Sequence, residues 1–114
     1  MANQIDEFLI STMNDVPGYD IVEVYGEVFG LVVRARNIFS NIGAMLRTLV
    51  GGEVGAYTEL LIESRLHAVD RMRKAAMEKG GNAVIAMRFD CSELANVMSE
   101  IAAYGTAVKI RKRA

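Results

Sequence analysis

The stretch AYTELLIESRLHAVDRMRKAAMEKGG, residues 56–81, has the longest helical pattern in the chain. At about 100° per residue, its apolar residues form two adjoining sectors. The first sector contains Tyr57, Leu61, Ala68, Met72 and Ala75, and the second contains Ile62, Leu66, Val69, Ala76 and Met77. Together they cover about half of the circumference, which exceeds the roughly 100° that one sheet needs. We therefore predict a long helix that covers its own sheet with one sector and meets a neighbouring subunit with the other.

Four segments around this helix have the alternation typical of β-strands. They are a short run at residues 8–12, a long strand or tight hairpin at residues 20–35, and strands at residues 82–91 and 97–110. In the long strand, the residues that share one parity are Val22, Val24, Gly26, Val28, Gly30 and Val32. Glycine inside a strand indicates a bulge or the close approach of another backbone. The last strand has a narrow face formed by Ile101, Ala103, Gly105 and Ala107, on which a helix can sit closely.

A second, shorter helix is predicted at residues 38–50, where Gly51 and Gly52 end it. The order of elements is then strand, helix, strand and strand. This order predicts one α+β domain over residues 1–114, a two-layer β-α-β-β subunit. Its antiparallel sheet is covered by one long helix and accompanied by a short extra helix and a small N-terminal strand.

The composition limits the classes of partner. The chain has 114 residues, is 52% hydrophobic and has a formal net charge of −1. Without a basic field, we expect no nucleic-acid or membrane partner. One cysteine excludes an internal disulfide, and no signal peptide or membrane-length apolar run is present, so we expect a cytoplasmic protein.

Three segments resemble the YbjQ-like family of small bacterial and archaeal proteins. They are RARNIFSNIGAMLRTLVGGEVGAYTELLIESR, GGNAVIAMRFD and EIAAYGTAV, in the same order and spacing. The resemblance implies a subunit similar to that of dodecin and an assembly of five copies in a ring joined by extra short strands. Members are generally described as heavy-metal-binding domains, so the resemblance also implies a heavy or transition metal ion as a candidate ligand.

The candidate metal ligands are few. His67 and Glu63 lie one helical turn apart on the charged side of the long helix, where an exposed ion pair is the alternative. Cys91 has the same parity as Met87 and Phe89, which favours a small buried hydrophobe. A soft or borderline ion normally needs three or four ligands, and one histidine and one cysteine do not supply them in one chain. Ring symmetry would bring five copies of a residue together near an axis.

A second group of candidates is polar. These residues suit arginine–carboxylate pairs between subunits or a shared pocket for a small anion. They are Arg34, Asn37, Arg47, Gly51, Gly52, Glu53, Arg88, Asp90 and Glu100. No nucleotide-binding, nucleophile-elbow or zinc-protease motif is present, so we expect a binding protein and not an enzyme. The alternatives are a structural or protein-interaction scaffold without metal and, by fold analogy alone, a small-ligand binder or enzyme.

Overall fold

The computed structural model describes residues 8–35, 55–94 and 98–114. Its elements are β1 (Leu9–Ile10), β2 (Tyr19–Ala35), α1 (Gly55–Glu78), β3 (Ala83–Leu94) and β4 (Met98–Lys112). The strands form one sheet in the order β1-β3-β4-β2, and α1 packs mainly over β2 and β4. The predicted α+β class, the long helix and the strands are confirmed. The short helix predicted at residues 38–50 lies outside the described residues.

The sheet is mixed, so the prediction of an antiparallel sheet is wrong in one respect. Strands β2 and β3 both run antiparallel to β4, but β1 runs parallel to β3, with Leu9 opposite Ala83. Ser11 extends this pairing, because its N–H donates to the Val84 carbonyl and its own carbonyl accepts from Met87. A strand of two residues has too short a pattern to reveal its direction from sequence.

Two irregularities in β2 overturn the predicted parity for Val22 and Val24, whereas Val28, Gly30 and Val32 share the buried face as predicted. The register shifts between Ile21 and Glu23 and again between Val24 and Gly26. Gly26 has a φ of 102°, a left-handed conformation that suits glycine at a bulge. Beyond it Val28 is buried beneath α1, whereas Val24 is 63% exposed on the opposite face. Each bulge inserts a residue and so exchanges the two faces of the strand.

A third irregularity, in β3, regroups its side chains in the same way. Ala86 has a φ of 54°, and the register shifts between Ile85 and Arg88. Val84 therefore packs beneath α1, Ile85 belongs to a second small core on the other face, and Met87 returns beneath the helix. The predicted grouping of Val84 with Arg88 and of Ile85 with Met87 is wrong for this reason.

The helix approaches the sheet closely because small residues line the contact. The buried residues of α1 are Ser64, Ala68, Met72 and Ala76, spaced four apart. They lie over the face of Ile101, Ala103, Gly105 and Ala107, all of which are buried as predicted. At Gly30 a Cβ atom would lie 2.1 Å from the Ala68 carbonyl oxygen and 2.5 Å from the Met72 nitrogen. Gly30 is therefore the point at which the helix and β2 come into backbone contact.

Replacing Gly30 with alanine tests this contact. We expect Gly30→Ala to lower the free energy of unfolding by about 3 kcal/mol, because two backbones must separate to admit one methyl group. Chemical denaturation measures the loss. Glu27→Ala, an exposed change in the same strand, is the control and should stay within about 0.5 kcal/mol of the parent. A Gly30→Ala variant as stable as this control would contradict the close contact.

Candidate functional site

The side of the sheet away from α1 is partly covered and partly open. A small core covers one end, where Val16, Ile85 and Val108 meet. The remainder, which we call the open sheet surface, consists of three rows of cross-strand neighbours from β2 through β4 to β3. The rows are Phe29–Tyr104–Arg88, Leu31–Ala102–Asp90 and Val33–Glu100–Ser92.

The open sheet surface is apolar along β2 and polar along β3. Phe29, Leu31 and Val33 are 55%, 38% and 48% exposed. Three of the polar candidates, Arg88, Asp90 and Glu100, lie on the β3 and β4 side of the same surface. A row of exposed apolar side chains on β2 beside charged side chains on β3 and β4 is typical of a surface that contacts another protein.

Arg88 is held in place by the chain that follows β1. Its guanidinium donates to the Thr12 carbonyl at 2.9 Å and to the Met87 carbonyl at 2.8 Å. The adjacent Ala86 N–H donates to the Met13 carbonyl at 2.7 Å. The Arg88 side chain and the Ala86 N–H together hold residues 12 and 13 beside the bulge of β3.

A pocket of about 260 Å³ lies where the first half of α1 passes the ends of β3 and β4. We call it the Cys91 pocket, and its lining is Leu61, Cys91, Ser92, Glu93, Ser99, Glu100 and Ile101. Cys91 is exposed, so the expected small buried hydrophobe is wrong. The physical reason is that α1 lies mainly over β2 and β4 and leaves this end of β3 uncovered. On the helix side of the sheet the pocket thus offers the Cys91 thiol and the Glu93 carboxylate, whereas Glu100 belongs to the opposite face.

Arg34 does not join the other polar candidates. It lies on the helix side of β2, where its Nε donates to the Ser64 hydroxyl at 3.3 Å. Ser64 is fully buried, so this hydrogen bond satisfies a polar group inside the core. The structure gives Arg34 a packing role at the end of β2.

His67 and Glu63 form an exposed pair on the outer side of α1, with 4.0 Å between Nε2 and Oε1. They do not lie in the Cys91 pocket. Among residues 8–35, 55–94 and 98–114, no three or more His, Cys, Asp or Glu side chains are grouped to hold a metal ion. The candidates Asn37, Arg47, Gly51, Gly52 and Glu53 lie outside the described residues.

Several residues with clear roles were not found from the sequence. Glu93 and Ser99 line the Cys91 pocket. Glu93 could have been found from the sequence, because it lies two residues after Cys91 and so on the same face of the strand. Arg71 donates to the Leu31 carbonyl and Lys79 to the Glu27 carbonyl at 3.1 Å. These two cations cover carbonyls on the edge of β2 that faces away from β4, which discourages pairing with a further strand there.

Residues 8–111 match the model of the YbjQ family, described as "putative heavy-metal-binding". The chain belongs to this family. A relative in Lactococcus lactis, the UPF0145 protein YjfJ, is 56% identical over 108 residues, which covers 95% of this chain and 99% of the relative. A UPF0145 protein of Sulfurisphaera tokodaii is 47% identical over 112 residues and covers 98% of each chain.

A solved structure has a similar fold. It is a protein of unknown function of the DUF74 family from Pediococcus pentosaceus, with a TM-score of 0.59 at 16% identity. The match covers 90% of this YbjQ-family chain and 97% of that one. Within the described part of the chain, no helix is long and apolar enough to span a bilayer.

The Arg34–Ser64 hydrogen bond gives a prediction for stability. Arg34→Leu should lower the free energy of unfolding by about 1–3 kcal/mol, because the buried Ser64 hydroxyl loses this partner. The same change in a Ser64→Ala background should cost less, and urea titration of the four proteins measures the difference. Arg111→Leu, at an exposed position of β4, is the control. Equal losses in both backgrounds would show that the two side chains are not coupled.

Proposed function

We propose that this protein is a cytoplasmic, non-enzymatic homo-oligomer that binds a heavy or transition metal ion between its subunits. A ring of five copies follows from the family resemblance. The observation that supports the metal site is the Cys91 pocket, in which an exposed thiol lies on the same face of β3 as Glu93. Thiolate is the protein ligand that soft and borderline ions prefer.

The donors of one chain do not fit a complete site. Cys91 is the only cysteine and His67 the only histidine of the sequence, and His67 lies on the outer side of α1. A closed tetrahedral site takes four such ligands. A metal ion in the Cys91 pocket therefore needs donors from a second subunit.

The open sheet surface supports association at this place. Val33 lies opposite Glu100 in the register, and Glu100 also lines the Cys91 pocket. A neighbour that covers the apolar residues of β2 therefore also contacts Glu100, at the end of the sheet where the pocket lies. Burying these side chains favours association, since each exposed apolar residue gains by leaving water. The cations on the edge of β2 favour contact through this face over addition of a strand.

A second candidate function is a protein-interaction scaffold without metal. It is favoured by the same open sheet surface together with the lack of a three-donor group among the described side chains. In that case the family's described metal binding does not extend to this chain, and the assembled protein presents its surfaces to another protein.

Metal titration separates the two candidates. Reduced protein is titrated with Zn²⁺ and Cd²⁺ in a calorimeter, and its mass is measured by sedimentation. A ring has one boundary per chain, so metal binding between subunits predicts saturable binding of up to one ion per chain in the assembled protein. Cys91→Ser should weaken it by about tenfold or more.

His67→Ala is the control, because His67 lies outside the Cys91 pocket, and its affinity should equal that of the parent. Binding that Cys91→Ser leaves unchanged would contradict the proposed site. An assembled protein that takes up neither ion would support the scaffold.

A further inference from the structure

The outer side of β3 changes its partner part-way along the strand. β1 and Ser11 pair with it as far as Met87, whose N–H donates to the Ser11 carbonyl at 3.1 Å. The Met87 carbonyl accepts from the Arg88 guanidinium. In the part of the chain that the structure describes, residues 88–94 pair with β4 alone. We call the side of residues 88–94 that faces away from β4 the β3 edge.

The alternation of the strand assigns the backbone groups on the β3 edge. Met87 presents its N–H to the side of β1, so Phe89, Cys91 and Glu93 present their N–H and C=O groups to that same side. They form a row of donors and acceptors to which an extended chain can add as a further strand. Their side chains lie on the helix side of the sheet, where Phe89 packs against the main core.

A groove runs along the β3 edge because α1 lies mainly over β2 and β4. The Cys91 pocket forms one end of this groove, where Leu61 of α1 faces β3. A second cavity, of about 480 Å³, opens at the other end, and its lining includes Thr12 and Phe89. The side chains of an added strand therefore have space along this edge.

The β3 edge differs from the outer edge of β2. On β2, Arg71 and Lys79 donate to strand carbonyls and so discourage pairing with a further strand. Among the described side chains, none donates to a carbonyl of residues 89–94. Residues 88–94 also contain no proline or lysine, which commonly protect the edge of a sheet. One edge is thus protected against strand addition, whereas the β3 edge accepts it.

Charges along the groove define the chain that fits it. The Arg65 guanidinium lies over the Phe89 ring, 5.0 Å from its centroid, and forms no ion pair with a described carboxylate. Cross-strand neighbours lie directly opposite each other on one face, so an acidic side chain opposite Phe89 meets this cation. A basic side chain opposite Glu93 meets a carboxylate. Between them, an apolar side chain enters the Cys91 pocket beside Leu61.

We propose that the β3 edge binds an extended peptide of another protein as an added antiparallel strand. The peptide has the pattern basic–x–apolar–x–acidic, in which the basic residue faces Glu93 and the acidic residue faces Arg65. The antiparallel direction is favoured because antiparallel pairs are slightly more stable per residue than parallel pairs. The contact goes beyond the proposed function, because it needs neither a metal ion nor a second copy of this chain. It lies on the helix side of β3, away from the open sheet surface.

Peptide titration of reduced, metal-free protein tests the proposal. The probe is fluorescently labelled TKTVTET with both ends capped, and its matched control is the reversed sequence TETVTKT, which has the same composition. Fluorescence anisotropy should show saturable binding of the probe, about tenfold or more tighter than that of the control. Methylation of the valine nitrogen removes the N–H that donates to the Cys91 carbonyl and should weaken binding by about tenfold. Methylation of the next threonine nitrogen, which points away from β3, should weaken it much less.

Charge reversal in the protein locates the contact. Arg65→Glu should weaken binding of the probe by about tenfold or more, and it should bind TKTVTKT, in which lysine replaces the glutamate, more tightly than the parent does. Arg111→Glu, the same change at an exposed position of β4 away from the groove, is the control and should bind the probe as the parent does. Circular dichroism confirms that both variants are folded.

Three results would overturn the proposal. They are a probe that binds no more tightly than its reversed control, a valine methylation without effect, and probe binding that occurs only as the sedimentation mass of the protein falls. The last result would show that a second copy of this chain, and not another protein, occupies the β3 edge. Failure of peptide binding leaves the metal titration of the proposed function unaffected, because the two experiments use different ligands.

Discussion

The backbone contact between α1 and β2 at Gly30 determines which side chains of the helix are buried within the subunit and which stay exposed. A Cβ atom there would lie 2.1 Å from the Ala68 carbonyl oxygen, so the helix must present its smallest residues to the sheet. Ala68 and Ala76 take those positions and are fully buried. The larger residues Ile62 and Leu66 are turned outwards as a consequence. A close two-layer contact therefore leaves apolar side chains on the outside of the helix.

The elements of the fold could be predicted because their patterns are local. The helix was expected from near Ala56 to Gly80, and it spans Gly55–Glu78. Within β2 and β3 the alternation was predicted correctly after each bulge, but the exchange of faces at Gly26 and Ala86 was not, because such shifts depend on pairing with β4. The direction of β1 and the exposure of Cys91 also depend on where α1 and the neighbouring strands lie, which no periodicity in the sequence records.

The candidate site was predicted in its parts but not in its arrangement. Arg88, Asp90 and Glu100 were chosen as polar residues near a subunit boundary, and the register places all three on the open sheet surface. Arg34 was chosen for the same reason and instead satisfies the buried Ser64. The register with β4 explains why Arg34 lies on the helix side of the sheet and the other three residues on the opposite side. The sequence composition alone limits the metal ligands. With one cysteine and one histidine per chain, a complete set of soft or borderline donors has to come from several chains.

Two apolar surfaces on opposite sides of one subunit explain the high hydrophobic content of a small domain, provided that neighbours cover them. Hydroxyl-radical labelling of the assembled protein, read residue by residue, tests this most directly. The account predicts that Phe29, Tyr104, Leu66 and Ile62 are labelled much more slowly in the assembled protein than in the unfolded chain, although all four are exposed in one subunit. Labelling of these four side chains at the rate of the exposed Met13 loop, after correction for intrinsic reactivity, would contradict it.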